Sequence, residues 1–121
     1  MSFTSHRSDR LAYQIRELVA KIIASELRDP RIGFATVTRA EVSGDAQFVR
    51  VHVSVLGNAE TQQRTLEGLA SAAGFVRHEL SHRLRLRRAP ELAFALDHGP
   101  EEALKLEALI QNLHIERTGK E

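Results

Sequence analysis

Phe48-Val49-Arg50-Val51-His52-Val53-Ser54-Val55 is the stretch whose reading decides the fold. Its alternation puts Val49, Val51, Val53 and Val55 on one face and Phe48, Arg50, His52 and Ser54 on the other, the pattern of a strand with one buried and one wet side. Just before it, Ser43-Gly44-Asp45 supplies turn chemistry, and Phe34 to Val42 is a second segment rich in β-branched residues. Together they predict a β-hairpin. Toward the N-terminus, Leu11, Ile15, Leu18, Val19, Ile22 and Leu27 recur at steps of three and four, an amphipathic helix with Ser8 as its N-cap. That helix should end in Arg28-Asp29-Pro30-Arg31-Ile32-Gly33, where proline biases Asp29 away from helical geometry.

On the other side of the hairpin, a helical stretch follows Leu56-Gly57-Asn58 from about Ala59, with Leu66, Leu69, Ala70 and Ala73 on one stripe, and meets Gly74. A second stretch, marked by Val76, Leu80 and Leu84, continues to about Arg88, where Pro90 stops it. Because Ser71-Ala72-Ala73-Gly74 is small throughout and lacks proline, a kinked pair of helices with almost no loop is expected. Leu92, Phe94 and Leu96 alternate with Glu91, Ala93 and Ala95, so the segment to Asp97 reads as a third strand reached by a helical crossover. Pro100 opens a final helix carrying Ala103, Leu106, Ile110 and Leu113. The order is helix, strand, strand, helix, helix, strand, helix: an α+β domain whose helices pack on one face of a three-stranded sheet.

With 121 residues, the chain is read as one domain over 1–121, with a core of about 8–113 and mobile tails at 1–7 and 115–121. A content of 42% hydrophobic and 27% charged residues is that of a globular chain with a real core. The absence of cysteine excludes disulfide frameworks, iron-sulfur clusters, thiolate zinc sites and cysteine nucleophiles. No apolar run approaches the ~20 residues of a membrane span, so a cytoplasmic protein without membrane contact is expected.

The formal charge of +1 averages two unlike regions. Met1 to Pro90 holds 14 Lys plus Arg against 9 Asp plus Glu, a net of +5, and Glu91 to Glu121 holds 3 against 7, a net of −4. Arg accounts for 14 of the 17 basic residues, and its planar fork of donors suits phosphate.

His78-Glu79-Leu80-Ser81-His82 is a literal H-E-x-x-H, the spacing with which a helix holds zinc, and a small zinc-dependent hydrolase is the alternative reading. Against it, both histidines fall opposite the Val76, Leu80 and Leu84 stripe, and the adjacent arginines disfavour a divalent cation. The seven glycines form no Walker loop, dinucleotide fingerprint or nucleophile elbow. Neither a catalytic group nor a cofactor is assigned. The densest basic cluster, Arg77, Arg83, Arg85, Arg87 and Arg88, reads as a phosphate-binding edge, joined by Arg7, Arg10 and Lys21 from the first helix. One Tyr, no Trp and five Phe provide poorly for base stacking, so backbone and shape recognition of folded RNA is expected.

The strings Glu26-Leu27-Arg28-Asp29-Pro30-Arg31-Ile32-Gly33, Val42-Ser43-Gly44-Asp45, Val53-Ser54-Val55-Leu56-Gly57, Ser71-Ala72-Ala73-Gly74-Phe75-Val76-Arg77 and Arg87-Arg88-Ala89-Pro90-Glu91-Leu92-Ala93-Phe94-Ala95-Leu96-Asp97 resemble, in order and spacing, bacterial ribosome-binding factor A. The resemblance runs from about Arg10 to Leu113. It implies a KH-like domain of type II topology in which an interrupted helix, kinked at Ser71, Ala72 and Gly74, replaces the usual G-x-x-G loop. It further implies a non-enzymatic, monomeric assembly factor that binds the free small ribosomal subunit, supports late maturation and five-prime-end processing of its ribosomal RNA, matters most in the cold, and is linked to an assembly GTPase. RNA contacts are then expected at Arg10, Lys21, Arg31, Arg77, Arg83, Arg85, Arg87 and Arg88.

Overall fold

The computed structural model describes residues 6–119, with the order α1 (His6–Ser25), β1 (Ala35–Val42), β2 (Phe48–Val55), α2 (Ala59–Arg83), β3 (Glu91–Leu96) and α3 (Gly99–Gly119). The sheet order is β1-β2-β3, with β1 antiparallel and β3 parallel to the central strand. Parallel pairing requires the crossover that α2 provides. The hairpin closes through Ser43, whose N–H donates to the Phe48 carbonyl at 2.9 Å, with Ala46 in the left-handed region at φ 59°.

Val49, Val51, Val53 and Val55 are buried against Ile15, Val19 and Ile22 of α1 and Leu69, Val76 and Leu80 of α2. Each such side chain contributes roughly 1.5–3 kcal/mol relative to exposure. The other face of β2 is wet except at His52, 8% exposed, whose Nε2 is bonded to Glu41 Oε1. A bulge at Thr38 shifts the pairing from Val37↔Val53 to Arg39↔His52. The extra residue is used: Thr38 Oγ1 lies 2.7 Å from Asp97 Oδ2, so it ties β1 to the end of β3.

α2 runs without interruption from Ala59 to Arg83, so the two helical stretches expected to meet at Gly74 follow each other with no loop between them. Its buried positions Thr65, Leu69, Val76 and Leu80 stay in phase at about 100° per residue, so one stripe grips the sheet on both sides of the glycine. A single helical glycine costs only about 1 kcal/mol. The helix also stops five residues before the expected Arg88. Arg85 adopts φ 52° and the Leu86 N–H donates to the Ser81 carbonyl at 2.9 Å, a Schellman closure with arginine where glycine is usual.

α1 starts at His6, which places Ser8 inside the helix and not at its cap. Of the expected mobile tails, residues 1–5 and 120–121 lie outside the described residues, whereas 115–119 continue α3 as helix. Nor does α3 join the layer on the sheet: residues 102–112 are exposed, with Leu104, Leu106, Leu109 and Ile110 at 58–67%. The helical layer consists of α1 and α2.

The turn from Asp29 to Gly33 is held against α2 by a close approach. A Cβ on Gly68 would sit 2.7 Å from Ile32 Cγ1 and 3.3 Å from Arg31 Cβ, and the Gly33 N–H donates to Thr65 Oγ1 at 3.2 Å. Gly68→Ala is expected to lower unfolding free energy by about 1–3 kcal/mol, the usual cost of overpacking, in urea titrations monitored by circular dichroism.

Candidate nucleic-acid interface

The eight basic residues expected to bind RNA divide into two groups once folded. Arg31, Arg77 and Arg83 are occupied by the protein itself. Arg31 makes a two-pronged ion pair with Asp29, Nη2 to Oδ2 at 2.6 Å and Nε to Oδ1 at 3.1 Å, and Nη2 also donates to Ser71 Oγ at 3.0 Å. The Arg31 side chain and its backbone N–H together hold the Asp29 carboxyl down at about 2. Arg77 donates Nε to the Pro90 carbonyl at 2.7 Å and pairs with Glu91 at 3.3 Å, clamping the loop into β3. Arg83 bonds Glu79 at 2.9 Å and reaches Glu26, tying α2 to the end of α1, and these hydrogen bonds raise its pKa further.

Arg10, Lys21, Arg85, Arg87 and Arg88 are exposed, and their side chains form no ion pair among the described residues. Helical phase sets Arg10 and Lys21 on the side of α1 away from Ile15, Val19 and Ile22. Arg85, Arg87 and Arg88 sit in the short connection between α2 and β3. Charge that is already paired attracts phosphate weakly, so of the eight these five are the ones whose charge stays available to an external anion.

Ser71 and Ala72 form one wall of an open groove, and Leu27, Arg28, Asp29 and Pro30 form the other. Small side chains at 71 and 72 leave this gap between α2 and the turn. Gly74 is exposed, and a Cβ there would meet no atom within 4 Å, so the backbone is approachable and a larger side chain fits without clash. Arg28 and the Asp29-Pro30 pair were legible only as a helix end; their place opposite Ser71 depends on the Gly68 approach 40 residues or so downstream of the turn.

His78 and His82 are exposed and stack with ring centroids 6.3 Å apart. Among the described residues no group of three His, Asp or Glu could hold a metal ion. Glu79, the base of the alternative hydrolase reading, is bonded to Arg83.

The model of the family described as ribosome-binding factor A matches residues 7–110. The chain belongs to the ribosome-binding factor A family. Among solved structures, a Thermotoga maritima protein described as a candidate ribosome binding factor A is 38% identical, with a TM-score of 0.70 over 79% of this chain and 92% of that one. The crystal structure of ribosome-binding factor A from Thermus thermophilus is 28% identical, with a TM-score of 0.65 over 74% and 94%. A homology model of the Thermus thermophilus factor, fitted into the electron-microscopy map of its complex with the 30S subunit, is 27% identical, with a TM-score of 0.60 over 78% and 96%. The KH-like α+β fold is thereby shared with members of the ribosome-binding factor A family, and no helix among the described residues is long and apolar enough to cross a membrane.

Two outcomes are expected at this surface. Arg85→Gly should leave the fold as stable or more stable by about 1 kcal/mol, since glycine adopts the left-handed conformation without strain, yet weaken RNA binding; thermal melts and RNA titrations measure the two separately. Asp29, Glu41 and Asp97 are all held below their ordinary values by hydrogen bonds, Asp29 from Arg31, Glu41 from His52 and Asp97 from Thr38. Lowered carboxyls stabilise the fold above the ordinary aspartate value of 3.8, and that stability is lost as pH falls toward 2 for Asp29. Asp29→Asn should flatten that part of the acid dependence in urea unfolding.

Proposed function

We propose that this protein binds the free small ribosomal subunit and acts there, without catalysis, as an assembly factor assisting late maturation and five-prime-end processing of the ribosomal RNA. The observation that carries the reading is the family match over residues 7–110, and the relative fitted into a 30S complex supports the choice of subunit. Five exposed, unpaired cations supply what a phosphate backbone needs, release of condensed counterions on contact. Arg31, Arg77 and Arg83 act indirectly, by fixing the turn, the α2–β3 connection and the α1–α2 angle that set where those cations stand. Ser71, Ala72 and Gly74 shape the surface, leaving the groove open and the α2 backbone approachable.

Binding of this kind changes RNA conformation only through differential affinity for one RNA state. An assisting role therefore needs a surface fitted to the immature subunit and not to the finished particle. Work as a cytoplasmic monomer, a stronger requirement in the cold and release linked to an assembly GTPase complete the reading.

Sedimentation with free small subunits, large subunits and intact ribosomes at near-physiological and raised salt tests it. Selective comigration with free small subunits, weakened by salt, is expected; equal binding to every particle would reduce the function to nonspecific RNA binding. Reversing Arg85 and Arg87 to Glu should weaken comigration and flatten its salt dependence by about one logarithmic unit per lost phosphate contact.

A further inference from the structure

The outward side of α2 carries a row of side chains that phosphate binding leaves unused. At about 100° per residue, Phe75, His78 and His82 fall within roughly 40° of the direction opposite Leu80, one of the buried residues of α2. All three are exposed, and Phe75 retains 44% of its surface. His78 and His82 lie with their rings parallel to within 4° and centroids 6.3 Å apart. Successive steps of three and four bring Phe75, His78 and His82 side by side along the helix.

We infer that Phe75, His78 and His82 form a stacking strip for unpaired RNA bases. The inference rests on the RNA-binding reading above and names the part of the RNA that this face takes. Phe75 favours bases over phosphates here, and its surroundings suit a nucleic-acid strand. Phe75 has no charge to offer a phosphate, while every base has a π-face that an aromatic ring can cover. The unpaired Arg85, Arg87 and Arg88 lie just beyond His82, so a strand running along α2 meets rings first and phosphate-binding groups at the helix end. Glu79, the nearest carboxylate in sequence, is bonded to Arg83 and does not add a free negative charge. The strip is confined to the half of α2 that follows Gly74, because Glu60 and Glu67 occupy the same side of the preceding half. Open space at Gly74 lets a nucleotide approach the helix backbone at the edge of the strip.

The test uses the full-length protein and fluorescence anisotropy with a short unstructured RNA oligonucleotide and a hairpin duplex of similar charge. Changing Phe75, His78 and His82 together to Ala is expected to weaken binding to the unstructured RNA about fivefold or more, with duplex binding and the unfolding midpoint unchanged. The His78→Tyr and His82→Tyr pair should retain the preference for unstructured RNA, and the His78→Arg and His82→Arg pair should lose it. Should the triple change perturb the fold, the His78→Ala and His82→Ala pair alone carries the same expectation, since both side chains are exposed. Unchanged affinity, or restoration by Arg and not by Tyr, would overturn the inference, the latter pointing to a phosphate contact. Loss of comigration with small subunits while oligonucleotide binding is unaffected would also overturn it, because the row would then face a protein. Comigration of the unaltered protein judges the ribosome-binding reading independently of these variants.

Discussion

Everything in this molecule is hung on the valine face of β2. Val49, Val51, Val53 and Val55 are fully or almost fully buried, and they are the surface on which both α1 and α2 rest. A parallel neighbour on one side and an antiparallel one on the other leave β2 no free edge. The hydrogen-bond ladder is thereby saturated at the centre of the sheet, and a shift of one residue would turn all four valines to water. Thr38, bulged out of β1, uses its hydroxyl to lock the sheet's end through Asp97, and its register shift brings Arg39 opposite His52.

A second constraint converts this scaffold into a surface. Gly68 lets the Asp29–Gly33 turn lie directly on α2, and the Arg31 side chain spans the contact from Asp29 to Ser71. Arg77 and Arg83 do similar work at the other end of the helix, holding the approach to β3 and the end of α1. Arginine thus has two uses in one chain. Where a carboxylate or carbonyl lies within reach, the guanidinium fork spends its donors on the fold; where none does, at Arg85, Arg87 and Arg88, the charge is left for an external anion. Arg85 adds a conformational signature, because the left-handed position that closes α2 would be more stable with glycine.

Five Phe and one Tyr over the whole chain argue against base stacking, but such a count does not show where rings are exposed or how they are aligned. Phe75 and the parallel imidazoles of His78 and His82 stand together on one helix face. The H-E-x-x-H spacing that suggested zinc is the same spacing that aligns the two rings.

The strands, their faces, the hairpin turn, the crossover and the family itself were legible in the sequence, because alternation of period two and the ordered strings around Asp29-Pro30-Arg31 are local patterns that packing reinforces. The two stretches expected to meet at Gly74 form one continuous helix, since the buried positions on both sides of the glycine stay in phase, which periodicity within each half could not show. Likewise the apolar stripe of α3 is exposed over residues 102–112, because amphipathicity says which side would be buried but not whether a surface lies within reach. The sequence could identify the basic residues but not which of them are spent internally: that depended on whether folding brings Asp29, Glu26, Glu79, Glu91 or a loop carbonyl within hydrogen-bonding distance, and only the tertiary structure sets those distances.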